Sequence, residues 1–347
     1  MVTYRYHRGL HEPVRETMPI PAPEANEVRI KILAGGVCGS DVSIFKGTLQ
    51  PRVDTFTAGH EGAGIIDALG SSVEATYPEF SLGTYVAILG VNPCLQEACV
   101  LCSMGRDNLC YTLHMVGLGV DGSWAEYCVV PASTIVAVPG SPSDIAAEVV
   151  AVSTDAVLTP YHAMRTIARI QSGQTVLILG CGGLGYNAVQ IAKNCCGAGC
   201  VVASDVRDTS LRAAVEVGAD YAVEPDRLAA LIQEHRLSID VVVDVVGTDA
   251  SFQTAVSAVA FWGTIVVVGM GSSTMALPIL PSALKEVTVK SSFWGCKGEL
   301  KEVLEAVRGG LVRPHVETRP LSDCGTVLKE MMAGKLKGRV ALVPDQQ

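Results

Sequence analysis

The sequence predicts an α/β protein of two domains, one β-rich and one built on a doubly wound parallel sheet. Three observations carry this. At 347 residues the chain exceeds what one compact core serves. Roughly its first 150 residues are rich in Gly and Pro and hold short candidate strands without a strong helical period. From Ile145 onward, Val-rich runs alternate with Ala-rich stretches, the texture of βαβ units.

In chain order, the β-rich part is expected to place strands at 27–37, 63–70, 84–90, 125–131 and 134–139. The Ala-rich segment 146–170 reads as helix. Next, a strand at 175–180 feeds a helix at 184–195, a strand at 200–206 feeds one at 208–218, and a strand at 239–247 precedes one at 251–260. A strand at 263–271 follows, then a helix at 299–310. The last strand, GRVALVP at 338–344, is placed to rejoin the first domain. The expected domains are therefore residues 1–155 with 295–347, and residues 156–294.

Composition narrows the function. A net charge of −9 argues against nucleic-acid or anionic-membrane partners. No apolar run reaches the length of a membrane span. The opening MVTYRYHRGLHEPVRE carries charges throughout, so no signal peptide is expected and the location is expected to be cytoplasmic.

Four of the twelve cysteines, Cys94, Cys99, Cys102 and Cys110, fall within seventeen residues. Thiolates so spaced can converge on one tetrahedral Zn²⁺, and a site closed by four protein ligands is structural rather than catalytic. A disulfide reading would need an oxidising compartment.

Gly180-Cys181-Gly182-Gly183-Leu184-Gly185 follows a strand and opens a helix, and Asp205 ends the next strand. This is the context in which such a loop binds a dinucleotide. Gly180 allows the tight turn, Gly182 lets backbone approach the pyrophosphate, and Gly185 lets helix and strand pack closely. Asp205 is placed to bond the adenine-ribose hydroxyls, and its charge favours NAD over NADP; Arg207 nearby tempers that preference.

Cys38 and His60 lie in the β-rich part, with Asp155 at the junction to the helical part. A thiolate, an imidazole and a carboxylate would balance Zn²⁺ and leave a position open. Asp41 is a candidate to orient His60 through its other ring nitrogen. Taken singly, each is as readily a packing residue.

Together these residues resemble the zinc-dependent alcohol dehydrogenases of the medium-chain dehydrogenase/reductase superfamily, over essentially the whole chain. The resemblance implies a GroES-like catalytic domain, from the N-terminal part plus the C-terminal tail, a Rossmann domain inserted between them, and an active site in the cleft. It implies Cys38, His60 and Asp155 as catalytic zinc ligands, with Glu61 able to approach the metal. Cys94, Cys99, Cys102 and Cys110 match the structural zinc lobe, Thr159 a nicotinamide contact and Arg339 a pyrophosphate-binding arginine. Two zinc ions per chain, NAD, a small alcohol, aldehyde or ketone substrate, and a homodimer or homotetramer follow. Dimerisation is expected at the Rossmann sheet edge, near 263–271.

Three departures stand out. The first gap in the lobe is longer than usual, so residues 95–98 should bulge. Ser43 stands where many members carry a proton-relay histidine, and Gly39 where some carry an arginine. The expected reaction passes hydride between alcohol and NAD, with the proton leaving through Ser40 and then Ser43. Trp294 is a candidate pocket wall, and Gly90, in place of a bulky aromatic, would widen the pocket. A polyol or amino-alcohol dehydrogenase shares the whole constellation. An enoyl or quinone reductase should lack the catalytic ligands, and a non-catalytic dinucleotide-binding protein should have lost them.

Overall fold

A computed structural model describes residues 1–345. The chain divides into two compact units. The first holds Met1–Asp155, Cys296–Arg308 and the residues from Pro314 onward, and the second holds Ala156–Gly295 and Gly309–Arg313. Two details differ from the expected boundaries: Gly295 and the short 309–313 segment group with the second unit. The segment belongs there because Gln190 brackets Arg313, accepting its N–H at 2.8 Å and donating to its carbonyl at 3.2 Å. Asn194 likewise donates to Leu311 at 2.7 Å.

In the first unit the strand Glu27–Val37 is the spine. Val28, Ile30 and Ile32 point inward while Arg29 and Lys31 point out, the two-residue period that a half-buried strand requires. It pairs with Gly62–Leu69, with Tyr127–Pro131 and with the C-terminal strand Arg339–Val343. Tyr85–Ile88, Ile135–Ala137 and Val316–Pro320 complete a seven-stranded sheet. Its core packs these aliphatics against Ile66, Phe80, Val116 and Val130. A second sheet orders Val14–Thr17, Val2–His7 and Thr55–Thr57.

In the second unit six strands run parallel in the order Tyr221–Val223, Cys200–Ser204, Thr175–Leu179, Ile239–Asp244, Val259–Val267, Thr288–Ser291. By chain position this is 3-2-1-4-5-6, the Rossmann order. Leu177, Val202, Val242 and Ile265 are fully buried, as expected of strands covered on both faces. The strand Val259–Val267 is paired on both sides, so the expected sheet edge near 263–271 is corrected: Thr288–Ser291 ends the sheet. Among the described residues no helix is long and apolar enough to cross a membrane.

Candidate active site

The helix Gly39–Phe45 positions the first site, and the composition of the β-rich part concealed it. Its start is fixed by Asp41, whose Oδ2 accepts the Cys38 N–H at 2.8 Å, the carboxylate half of a capping box. Asp41 Oδ1 faces His60 Nδ1 at 3.1 Å. One carboxylate thus ties down the Cys38 backbone and the His60 ring, and with Nδ1 facing it, Nε2 is the His60 atom turned toward the other donors.

Asp155 arrives from the wide π-turn Ser153–Val157, which follows the helix Ala147–Val152. The Oδ2 of Asp155 lies 3.1 Å from Cys38 Sγ and 3.7 Å from His60 Nε2. Cys38, His60, Glu61 and Asp155 are all buried, and each offers a ligand atom within 4.8 Å of the others. That donor set, soft thiolate, imidazole and carboxylate, suits zinc.

The charges are tightly interlocked. Burial alone would lower the His60 pKa, but the charge of Asp41 and hydrogen bonds to Asp155, Asp41 and Cys38 hold it well above its ordinary value. Glu61 is pushed well above the usual carboxylate range by burial, against the opposing pull of Arg339. Arg339 is raised although burial works the other way, because Cys38, Glu61 and Asp155 surround it.

Arg339, a pyrophosphate-binding arginine by the resemblance, lies beside the carboxylates of the metal cluster. It is 5% exposed, and its guanidinium pairs with Glu61 and with Asp155, the latter at 3.0 Å. Sequence reading could not place it there, because its partner Glu61 lies 278 residues away. Ser40 Oγ lies 4.0 Å from Cys38 Sγ. The Ser43 hydroxyl turns back onto its own helix and donates to Gly39 O at 3.2 Å, so it is not extended toward a relay partner.

The four-cysteine lobe converges. Sulfurs stand 3.8 Å apart for Cys94 and Cys102, 3.5 Å for Cys94 and Cys110, and 4.0 Å for Cys99 and Cys110. A tetrahedron with Zn–S bonds near 2.3 Å has edges of about 3.8 Å. The longer first gap is absorbed with Leu95 in the left-handed region, φ +48°. Burial pushes the Cys110 thiol up, but the Cys94 N–H and the Thr112 hydroxyl and N–H bring it down to about 6. Cys102 is pushed up to about 12, by burial first and then by neighbouring thiols.

In the second unit, Gly180 turns at φ +89°, a conformation that favours glycine. A Cβ on Gly185 would collide with Gly180 O, so both positions of the loop require glycine. The helix Gly185–Gln190 begins without a side-chain cap. Asp205 accepts the Cys181 N–H at 2.7 Å and the Arg207 N–H at 2.9 Å, and pairs with the Arg207 guanidinium at 3.2 Å. A pocket of about 430 Å³ opens beside Gly180, Asp205, Arg207, Val246, Thr248 and Thr254. Gly182 and Gly183 lie in the turn, Leu184 precedes the helix, and Thr159 is buried on the helix Leu158–His162. A larger cavity, about 670 Å³, lies in the first unit against Met1, Lys31, Tyr127 and Val343 and includes none of these side chains.

Comparison with known proteins agrees with this chemistry. The zinc-binding dehydrogenase family matches residues 183–308, and the alcohol dehydrogenase GroES-like domain matches residues 24–140. An alcohol dehydrogenase of Geobacillus stearothermophilus is 33% identical over 330 residues, 93% of each chain. The chain belongs to the zinc-dependent alcohol dehydrogenases of the medium-chain dehydrogenase/reductase superfamily. Acetophenone reductase from Geotrichum candidum, in complex with NAD, is similar in structure over 99% of this chain and 96% of its own. Its TM-score is 0.86 at 33% identity. The alcohol dehydrogenase of Aeropyrum pernix is similar over 99% and 100%, with TM-score 0.89 at 28% identity. As an alcohol dehydrogenase the protein uses zinc and NAD, and the donor sets and the glycine loop described above fit both groups.

The double role of Asp41 predicts a measurable effect. Asp41→Ala should weaken metal retention at the Cys38 site by about 10- to 100-fold, since partners that orient metal ligands act on that scale. Zinc transfer to a competing chelator checks this. Unchanged transfer would show that Cys38 and His60 hold their orientation without it.

Proposed function

We propose that this alcohol dehydrogenase oxidises small alcohols, or reduces the matching carbonyls, at a metal held by Cys38, His60 and Asp155. One observation carries the reading: these three side chains, far apart in sequence, meet in one buried cluster, with Asp41 bonded to the His60 ring and to the Cys38 N–H. Zinc, when bound there, lowers the pKa of an alcohol oxygen and polarises a carbonyl, while NAD accepts or donates the hydride.

The protein's own part is placement and proton handling. Ser40, beside Cys38, takes the alcohol proton as the first acceptor. Ser43, bonded back to Gly39, is a weak second step, and the proton leaves by water from there. Backbone N–H groups at Gly182, Gly183 and Leu184 receive the pyrophosphate, Gly182 leaving room for it while Gly180 and Gly185 shape the turn and its packing. Thr159 contacts the nicotinamide. Cys94, Cys99, Cys102 and Cys110 hold a second, structural zinc.

Asp205 supports NAD over NADP. With the Asp205 carboxylate present, Arg207 is paired and a 2′-phosphate meets a like charge. Asp205→Ser should therefore raise the kcat/KM ratio of NADP to NAD by about 10- to 100-fold, a few kcal/mol of relieved repulsion. Steady-state kinetics with both cofactors check it, and an unchanged ratio would remove Asp205 from cofactor choice.

Homo-oligomerisation is supported by the sheet-ending strand Thr288–Ser291 and by exposed Ile279, Leu280 and Leu284 in the segment before it. Twelve free cysteines suit a reducing, cytoplasmic setting. The deciding experiment is metal analysis joined to a substrate panel. Two zinc ions per chain and NAD-dependent turnover of primary, secondary, aromatic or polyol alcohols are expected. One zinc ion per chain with no alcohol turnover would favour the reductase or non-enzymatic reading.

A further inference from the structure

We propose that Asn187 is a positioning residue that ties the dinucleotide loop to the turn carrying Asp155, so that a bound cofactor steadies the metal ligand. The inference rests on the reading above, with Asp155 as a metal ligand and the glycine loop as the cofactor's seat. Asn187 lies on the helix Gly185–Gln190 and is 1% exposed. Its Nδ2 donates to Gly183 O at 3.0 Å and to Ala156 O at 3.0 Å. Gly183 belongs to the loop, and Ala156 follows Asp155 directly in the π-turn Ser153–Val157. The amide and both carbonyls lie within the second compact unit.

Chemistry fixes this arrangement. An amide nitrogen carries two N–H groups, and here two carbonyl oxygens take both. Turned over, the side chain would set its own oxygen against two others. The bond to Gly183 reaches back one turn, the direction in which helical side chains lean. In a trans peptide the carbonyl and the next N–H point opposite ways, so holding Gly183 O on one side aims the Leu184 N–H to the other. Leu184 is among the groups assigned to the pyrophosphate. The second bond fixes the Ala156 carbonyl beside Asp155. Meanwhile Asn187 Oδ1 makes no hydrogen bond within the described residues. Two bonds made and one buried acceptor left unpaired nearly cancel in stability. What the amide contributes is therefore direction, shared between loop and turn.

Cobalt(II) in place of zinc, with ADP-ribose as an unreactive probe, tests the tie. In the wild type, ADP-ribose should tighten cobalt binding at the Cys38 site by about fivefold or more, the lower end of ordinary coupling between sites, read by competition with a chelator. Asn187→Leu keeps the bulk and loses both bonds. It should bind ADP-ribose about three- to tenfold more weakly, the worth of a hydrogen bond, and show no coupling. Asn187→Ser can still donate back to Gly183 but is too short to span both carbonyls. It should keep ADP-ribose affinity within about twofold and lose the coupling. A merely structural role would lower stability and leave the coupling in place.

Equal coupling in the wild type and Asn187→Ser, or no coupling in a wild type that binds cobalt at both sites, overturns the proposal while the metal site stands. If the wild type binds cobalt only at the four cysteines, the metal-site reading fails and the proposal with it. Should Asn187→Leu not fold, Asn187→Ser carries the test alone.

Discussion

Cys38→Ser should lower kcat/KM for alcohol oxidation by about 10³-fold or more and cut zinc from two ions per chain to one, with NAD affinity nearly unchanged. The loss follows from what a metal supplies at the reacting oxygen. Lewis-acid stabilisation is worth several kcal/mol, and each 1.36 kcal/mol is a factor of ten in rate. Serine is the informative replacement. Cys38 caps the helix Gly39–Phe45 in extended geometry, and serine is among the best residues for that position. The helix, the Asp41 contact and the fold should therefore survive while the soft ligand is lost.

NAD affinity is the control, because the glycine loop and Asp205 belong to the other compact unit. Metal analysis, steady-state kinetics and a direct NAD titration test the three arms together. A variant retaining two zinc ions and wild-type turnover would remove Cys38 from the site.

The prediction draws on residues whose roles differ in how far the sequence discloses them. The strand Glu27–Val37 was legible because Val28, Ile30 and Ile32 alternate with charged neighbours. The parallel sheet was legible because each βαβ unit carries its own periodicity. The helix Gly39–Phe45 was not: it is seven residues long and opens on a cysteine instead of a usual capping residue, so only Asp41 marks it. The turn that carries Asp155 was hidden too, since a π-turn inside a helical stretch leaves no mark in an Ala/Val pattern.

Long-range pairing set the remaining limit. Motif order could bring Cys38, His60 and Asp155 into one list of candidates. Only the pairing of Arg339–Val343 with Glu27–Val37 brings Arg339 to Glu61. The same limit produced the misplaced sheet edge. A Val-rich strand reads alike at the edge or inside, and the flanking pairing of Val259–Val267 is decided by a later segment with little apolar character, Thr288–Ser291.

Cys102→Ser should remove the second zinc and loosen the lobe around residues 94–113 while the catalytic zinc stays. The lobe has almost no core of its own. Its helical turns, Val100–Ser103 and Asp107–Leu109, are single short turns, and Val100, Met104, Leu109 and Tyr111 are exposed. A segment so poor in buried apolar surface depends on the metal for its order, as small zinc domains do. Losing the ion should therefore open this region locally before the sheet melts.

The effect should also travel. Asp107 accepts the Lys297 N–H at 3.1 Å and Asn108 accepts from Cys296 at 3.2 Å, so the lobe anchors the start of the helix Lys297–Arg308. With both anchors loosened, a loss of about 3–4 kcal/mol and a Tm lower by roughly 10 °C are expected, at about 2–4 °C per kcal/mol for a domain of this size. Hydrogen exchange should show lost protection in the lobe and at Lys297–Arg308, with Glu27–Val37 still protected. Turnover measured well below the lowered Tm should stay within about threefold of the wild type, because no group that meets substrate lies on the four sulfurs. Loss of all activity at low temperature, with the catalytic zinc still bound, would show instead that the lobe shapes the reaction site.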